Sequence, residues 1–147
     1  MPINLSSPIV QVYELKETDA KYGDKESEPT TVTIRQATQA QHEYRQQIFA
    51  TLERKINNLK PEQTTLIQRA NSEELKRVQA YLTLVGCNIT HENGDLFKFK
   101  KGRDGLPELS MSKQAFDKAW GLLPPIVAAE IHLKVIDLNG IWGPMGG

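Results

Sequence analysis

The sequence predicts a mainly helical α+β protein: about four helices, an N-terminal strand pair and a small central hairpin. Three observations carry that reading. Tyr44, Ile48, Leu52, Ile56 and Leu59 recur at spacings of four, four, four and three, the period of one helix face. Residues 9–15 and 31–35 are instead rich in β-branched side chains and roughly alternate, which is the strand signature. Between two apolar runs lies Glu92-Asn93-Gly94-Asp95, and Asn-Gly is a strong hairpin signal.

Taken in order, the first strand places Ile9, Gln11, Tyr13 and Leu15 on one face and Val10, Val12 and Glu14 on the other. Residues 16–30 carry Lys, Glu, Asp, Gly, Ser and Pro29 without apolar period, so they read as a mobile charged loop. Residues 1–30 then form an N-terminal strand and loop ahead of a mostly helical domain at 31–142, with 143–147 as a flexible tail. The second strand, Thr31 to Arg35, closes a hairpin with the first, and two strands alone must pack on something else.

Thr38-Gln39-Ala40-Gln41 has the pattern of a capping box, in which Thr38 accepts from the third amide and Gln41 reaches back. The helix it opens runs to about Leu59 with a thin apolar seam, and Pro61 stops it. Asn71-Ser72-Glu73-Glu74 reads as the next N-cap, with acids in the first turn to suit the helix dipole. Leu75, Val78, Leu82 and Val85 form that helix's buried face, and Gly86 ends it. Residues 87–99 read as a hairpin and 100–106 as a loop. Ser110 or Ser112 caps a helix with Phe116, Ala119, Trp120 and Leu123. Pro124-Pro125 breaks it, with Pro125 suited to the first turn of the next helix. Ile126, Val127, Ile131, Val135 and Leu138 are the core of that last helix, which Asn139-Gly140 ends before Trp142.

Composition excludes several function classes. The 147 residues carry 18 basic and 18 acidic side chains, nine of each sign in either half, which argues against a globally basic nucleic-acid binder. This length buries a core without staples, and the single cysteine, Cys87, makes no internal disulfide. The N-terminus lacks the basic and apolar regions of a signal peptide. The longest apolar stretch, Leu122 to Ile136, is interrupted by Pro124, Pro125, Glu130, His132 and Lys134, so no membrane span is expected.

Chemistry-bearing patterns are sparse. His42, His91 and His132 stand apart from one another, and His91 with Cys87 supplies only two ligands where structural zinc wants four. No Gly-x-Ser-x-Gly, Gly-x-Gly-x-x-Gly or Walker-type loop occurs. Neither catalytic activity, nor a cofactor, nor a metal is expected. The densest basic run is Lys98, Lys100, Lys101 and Arg103, interleaved with Phe97 and Phe99. One reading is a nucleic-acid contact in which the rings stack on bases. The other is an edge strand guarded by lysines with both rings turned to the core, and four charges in a neutral chain favour it. Both tryptophans lie in the last 28 residues, beside Leu122, Leu123 and Pro124. That block reads as main core, as a partner surface, or as both, since tryptophan is enriched in binding hot spots.

Three segments together resemble the small tail assembly chaperones of tailed bacteriophages, encoded near the tape measure protein. They are Val32 to Thr38 with the Arg45-containing helix, Lys76 to Thr90, and Phe116 to Ile131 closing with Asn139-Gly140-Ile141-Trp142. The likeness covers residues 31–142 and rests on a tryptophan, a Leu-Pro turn, a helix and a terminal Asn-x-x-Trp. It implies a non-enzymatic protein in the host cytoplasm that binds the tape measure protein, tail tube subunits or its own copies. The expected partner-binding residues are Tyr44, Ile48, Leu52, Trp120, Leu122, Leu123, Pro124, Ile131 and Trp142. Neutral charge and modest aromatic content suit weak contacts that are later displaced. Two rivals stand beside it. One is a virion structural subunit of neck, tail or head decoration that uses its N-terminal strand for subunit contacts. The other is a small nucleic-acid-binding module using Lys98 to Arg103.

Overall fold

The computed structural model describes residues 9–24, 28–56, 61–92, 94–103 and 105–143 and, of residues 55, 56 and 61–66, the backbone only. In chain order the elements are β1 (Val10–Glu14), α1 (Lys16–Tyr22), β2 (Thr31–Arg35), α2 (Gln39–Ile56), α3 (Pro61–Thr83) and β3 (Leu84–Cys87). There follow β4 (Thr90–His91), β5 (Gly94–Asp95), β6 (Phe99–Lys101), β7 (Pro107–Leu109), α4 (Lys113–Trp120), α5 (Pro125–Leu138) and a 3-10 turn at Gly140–Trp142. The fold is α+β, with a three-stranded antiparallel sheet ordered β1-β2-β3 and two small ribbons, β4-β5 and β6-β7.

The strand pair forms where alternation places it, with Val10 opposite Arg35 and Glu14 opposite Thr31. Alternation in β2 buries Val32 and Ile34 completely; α5 packs on β2, and Ala80 of α3 and Phe116, Ala119 and Trp120 of α4 join the same buried cluster. Phe116 of α4 sits at the centre, with its ring centroid 5.3 Å from Tyr81, 5.4 Å from Phe97 and 5.9 Å from Trp120. Leu15, Leu84, Ile131 and Val135 complete this core.

Local signals hold at several ends. At α2 the Gln41 amide donates to Thr38 Oγ1 (3.2 Å) and the Thr38 amide to Gln41 Oε1 (3.0 Å), a reciprocal capping box. At α4 Ser112 Oγ accepts from the Ala115 amide at 3.1 Å. Pro125 occupies the first turn of α5, where its missing N–H costs nothing.

Other expectations are overturned. Residues 16–22 are helix, not loop, because a buried side chain far along the chain supplies the cap. Glu130, on α5 and 4% exposed, accepts from the Glu17 amide (3.0 Å), the Thr18 amide (2.8 Å) and the Thr18 hydroxyl (2.7 Å). Asp19 then accepts from the amide and hydroxyl of Thr30 at 2.9 and 2.6 Å, fixing the entry to β2. The expected role of Pro61 in stopping α2 falls at residues 57–60, outside the described residues, and Pro61 begins α3, as proline at a first helical position allows. Asn71 and Ser72 are therefore mid-helix, and Asn71 Nδ2 donates to the Leu52 carbonyl at 3.2 Å instead of capping.

The end of the helix expected near Val85 is strand β3, and residues 107–109 form β7 against β6. In the β4-β5 ribbon His91 pairs with Gly94, so the turn is centred one residue earlier than Asn93-Gly94, and Glu92 takes a φ of +56°. The Ile56 side chain, Leu59, Asn93 and the 144–147 tail lie outside the described residues.

At Gly86 the close approach of β2 admits only glycine. The β2-β3 register slips between Thr33 and Ile34, and a Cβ added at Gly86 would lie 2.8 Å from Thr33 Oγ1 and 2.9 Å from Thr33 Cβ. Gly86→Ala should therefore lower stability by about 1–3 kcal/mol through overpacking, read from the urea midpoint.

Glu130 carries a pH signature. Burial alone would raise its carboxyl, but the Thr18 hydroxyl, the Glu17 and Thr18 amides and the nearby Lys134 outweigh burial and hold it below its ordinary value. A depressed carboxyl contributes stability that is complete above about pH 4.5, the ordinary value, and is lost as pH falls through the folded-state value. Glu130→Gln sets an amide NH2 against the Glu17 N–H. It should cost about 1–3 kcal/mol at pH 7 and flatten the acid limb of a pH–stability curve.

Candidate functional site

The buried stripe of α2 is rotated from the expected one. Gln41, Arg45, Ile48 and Leu52 face inward, while Tyr44 is 41% exposed. The rotation puts an arginine, 8% exposed, where helices α2, α3 and α5 converge. It stands over a cleft of about 360 Å³ whose walls include Arg45, Lys76, Gln79, His132 and Trp142.

Each wall residue has a structural reason for its place. Gln79, 2% exposed, bridges the two basic groups. Its NH2 donates to His132 Nε2 (2.6 Å), while its oxygen accepts from Arg45 Nε (3.0 Å) and Nη2 (3.2 Å). The opposite amide orientation would aim NH2 at the guanidinium, so the network assigns this one. Arg45 Nη1 also donates to Gln46, and the guanidinium lies 5.5 Å from the Phe49 ring centroid. Trp142 closes one side, with Nε1 donating to His42 Nδ1 at 3.0 Å. Asn139, 3% exposed, accepts from the Ala37 amide at 2.8 Å and donates to the Arg35 and Val135 carbonyls at 3.3 and 3.2 Å. The terminal Asn-x-x-Trp is thus a clasp that holds the end of α5 to the start of α2.

Protonation states follow from these surroundings. Burial, reinforced by the Lys76 charge and opposed by Glu73, pushes His132 down to about 4, so it is neutral at physiological pH and accepts from Gln79. Burial also lowers Arg45, yet a guanidinium remains charged at any physiological pH. Lys76 is paired with Glu73 at 3.2 Å. Cys87 is raised to about 11, chiefly by burial, and its thiol stays protonated and unreactive.

The cleft continues along α2 and α3. Ser72 and Leu75 border both it and a groove of about 200 Å³ walled by Phe49, Leu52 and Glu53. Of the residues expected to bind a partner, Leu52 lines the groove and Trp142 the cleft. Ile48 is half-buried on the same helix. Trp120 (7% exposed) and Ile131 (fully buried) belong to the core. Leu123 and Pro124 border a separate cavity beside α1, and Leu122 is exposed without lining either.

In the basic run, Phe97 is buried and Phe99 packs on the core. Lys100 faces Glu108 across the ribbon at 3.6 Å, while Lys98, Lys101 and Arg103 are exposed. Both rings are thus turned to the core. Among the described residues no group of three or more His, Cys, Asp or Glu side chains could hold a metal ion, and no helix is long and apolar enough to cross a membrane.

Arg45 and Gln79 escape a residue-by-residue reading because each is ordinary on a polar helix surface, and His132 because it stands alone in an apolar helix with no other His or Cys near it in sequence. The available signal was the seam Gln41-Arg45-Ile48-Leu52, which has spacings of four, three and four and fits a helix face as well as the all-apolar seam does. Comparison with known proteins finds no matching family model, no matching curated protein and no matching solved structure.

The neutral His132 has a measurable consequence. Its folded-state value lies below the ordinary 6.5, so the stability tied to it is complete above about 6.5 and drains away as pH falls toward 4. His132→Gln keeps an acceptor for Gln79 but does not titrate. Urea unfolding at pH 7.0, 5.5 and 4.5 should show a shallower loss for this variant than for the unsubstituted chain.

Proposed function

We propose that this chain is a non-enzymatic tail assembly chaperone that holds a helical segment of a tape measure protein along the α2–α3 groove. The observation that carries this reading is the groove itself. Two long helices leave Phe49 40% exposed beside Leu52 and Leu75, with a polar cleft at one end. A helix laid in an apolar groove is a recurring recognition mode, read through side chains at i, i+3, i+4 and i+7. The resemblance across residues 31–142 supplies the class of partner. The Asn139 and Trp142 contacts support the reading by giving the terminal Asn-x-x-Trp a structural purpose next to the groove. On this reading the protein works in the host cytoplasm and leaves before the tail is complete.

A second reading has its own observation. β1 is an edge of the three-stranded sheet, with Ile9 55% and Val12 57% exposed, as a virion subunit that adds a strand to its neighbour would require.

The two readings separate in infected cells. A chaperone co-purifies with a tape measure fragment and is missing from purified particles by mass spectrometry, whereas a structural subunit appears in particles at fixed copy number. Phe49→Gln should weaken capture of the fragment at least tenfold while lowering stability by no more than about 1 kcal/mol, the worth of an exposed cation–π contact with Arg45.

A further inference from the structure

Arg45 is more than nine-tenths buried and carries a full charge. Its hydrogen bonds go to the neutral amides of Gln79 and Gln46. Among the described residues no carboxylate lies within ion-pair reach of it, although Lys76, Arg77 and Lys113 all have acidic partners. Buried charges are ordinarily paired, because desolvation without compensation is expensive. This one instead stands in the wall of an open cleft.

We propose that Arg45 is the receptor for a single carboxylate, an Asp or Glu side chain on a partner helix whose apolar residues lie against Phe49, Leu52 and Leu75. The proposal rests on the helix-binding reading of the groove and names what that groove selects.

Charge complementarity decides the ligand. His132 is neutral, Lys76 already has Glu73, and Gln79 is neutral, so the cleft offers one uncompensated positive charge. One carboxylate balances it, whereas a phosphate dianion would leave excess negative charge. The groove wall adds Glu53, which repels a second acid and any polyanion. Spacing sets the pattern. Arg45 and Leu52 are seven residues apart on α2, about 10 Å along the axis, so the partner carries its acid about two turns from an apolar anchor. A guanidinium presents N–H groups in a planar fork suited to a carboxylate, and Trp142 in the cleft wall reports occupancy by fluorescence.

The test uses the full chain and two alanine-based helical 18-residue peptides. Each carries leucines four and seven residues from a test position, which is Glu in one peptide and Gln in the other. Titration calorimetry, and tryptophan emission in a Trp120→Phe background, should show the Glu peptide binding at least tenfold tighter, with the difference abolished in Arg45→Gln. That variant keeps a donor for Gln79 and should melt within a few degrees of the parent. Equal binding of the two peptides, binding of neither, or a Glu preference that survives in Arg45→Gln would overturn the proposal. So would displacement of the Glu peptide by inorganic phosphate more effectively than by acetate at equal concentration. A collapse of stability in Arg45→Gln, restored by Arg45→Lys, would mark the residue as structural and also overturn it. Capture of the tape measure fragment is scored separately. If it fails while the peptides still discriminate, the chaperone reading falls and carboxylate recognition stands.

Discussion

The structure depends on one buried carboxylate. Glu130 sits on the inner face of α5 and receives three hydrogen bonds from the first turn of α1. A helix of seven residues lies far below the length at which an isolated helix persists in water, and Leu15 at its start offers no side-chain cap. What α1 lacks locally, Glu130 supplies across more than a hundred residues of chain. The exchange works in both directions: the orphan N–H groups of α1 are satisfied, and the charge on Glu130 becomes tolerable in the interior. With α1 docked, Leu15 reaches the core, Asp19 fixes Thr30, and β1 and β2 are brought into register on either side.

Asn139 repeats the device at the other end of α5. It satisfies backbone groups at residues 35, 37 and 135, where β2 gives way to α2. Between them, Glu130 and Asn139 make α5 the strut on which the N-terminal strands and the α2–α3 pair are hung. The interior of α5 is therefore held by directional contacts as well as by the apolar residues Val127, Ile131 and Val135. Directional contacts fix the angle of an element, which apolar packing alone leaves looser.

How much of this is visible in the sequence depends on the range of the interaction responsible. Ends set by neighbouring residues are legible: the capping box at Thr38 and Gln41, the Ser112 cap, Pro125 in a first turn, and the Asn139-Gly140 stop. The two alternating strands are legible for the same reason. Elements set by distant partners are not. α1 carries no apolar period because its cap is on α5. β3 reads as the tail of a helix because Val85 extends the spacing of Leu75, Val78 and Leu82, and only pairing of this segment with β2 turns it into strand. The same limit hides the site. Arg45 looks like a surface residue until α3 and α5 bring Gln79 and His132 beside it, and Tyr44 looks like core until the seam is seen to run through Gln41 and Arg45.

The chain's balanced charge gives Arg45 its meaning. In a strongly basic protein one more arginine in a cleft wall would be unremarkable, because the field would come from many groups at once. Here the overall charge is zero, and neighbouring ionic groups are largely consumed by local partners such as Glu73 with Lys76 and Asp117 with Lys113. His132 is kept neutral by the same burial that hides Arg45. The cleft therefore presents a single positive charge, at close range, in surroundings of low polarisability where such a charge is felt most strongly. Beside it lies an apolar groove that supplies area but little direction. A surface made this way discriminates by the placement of one acid and holds by the fit of a few aliphatic side chains, so binding stays selective without becoming too tight to reverse.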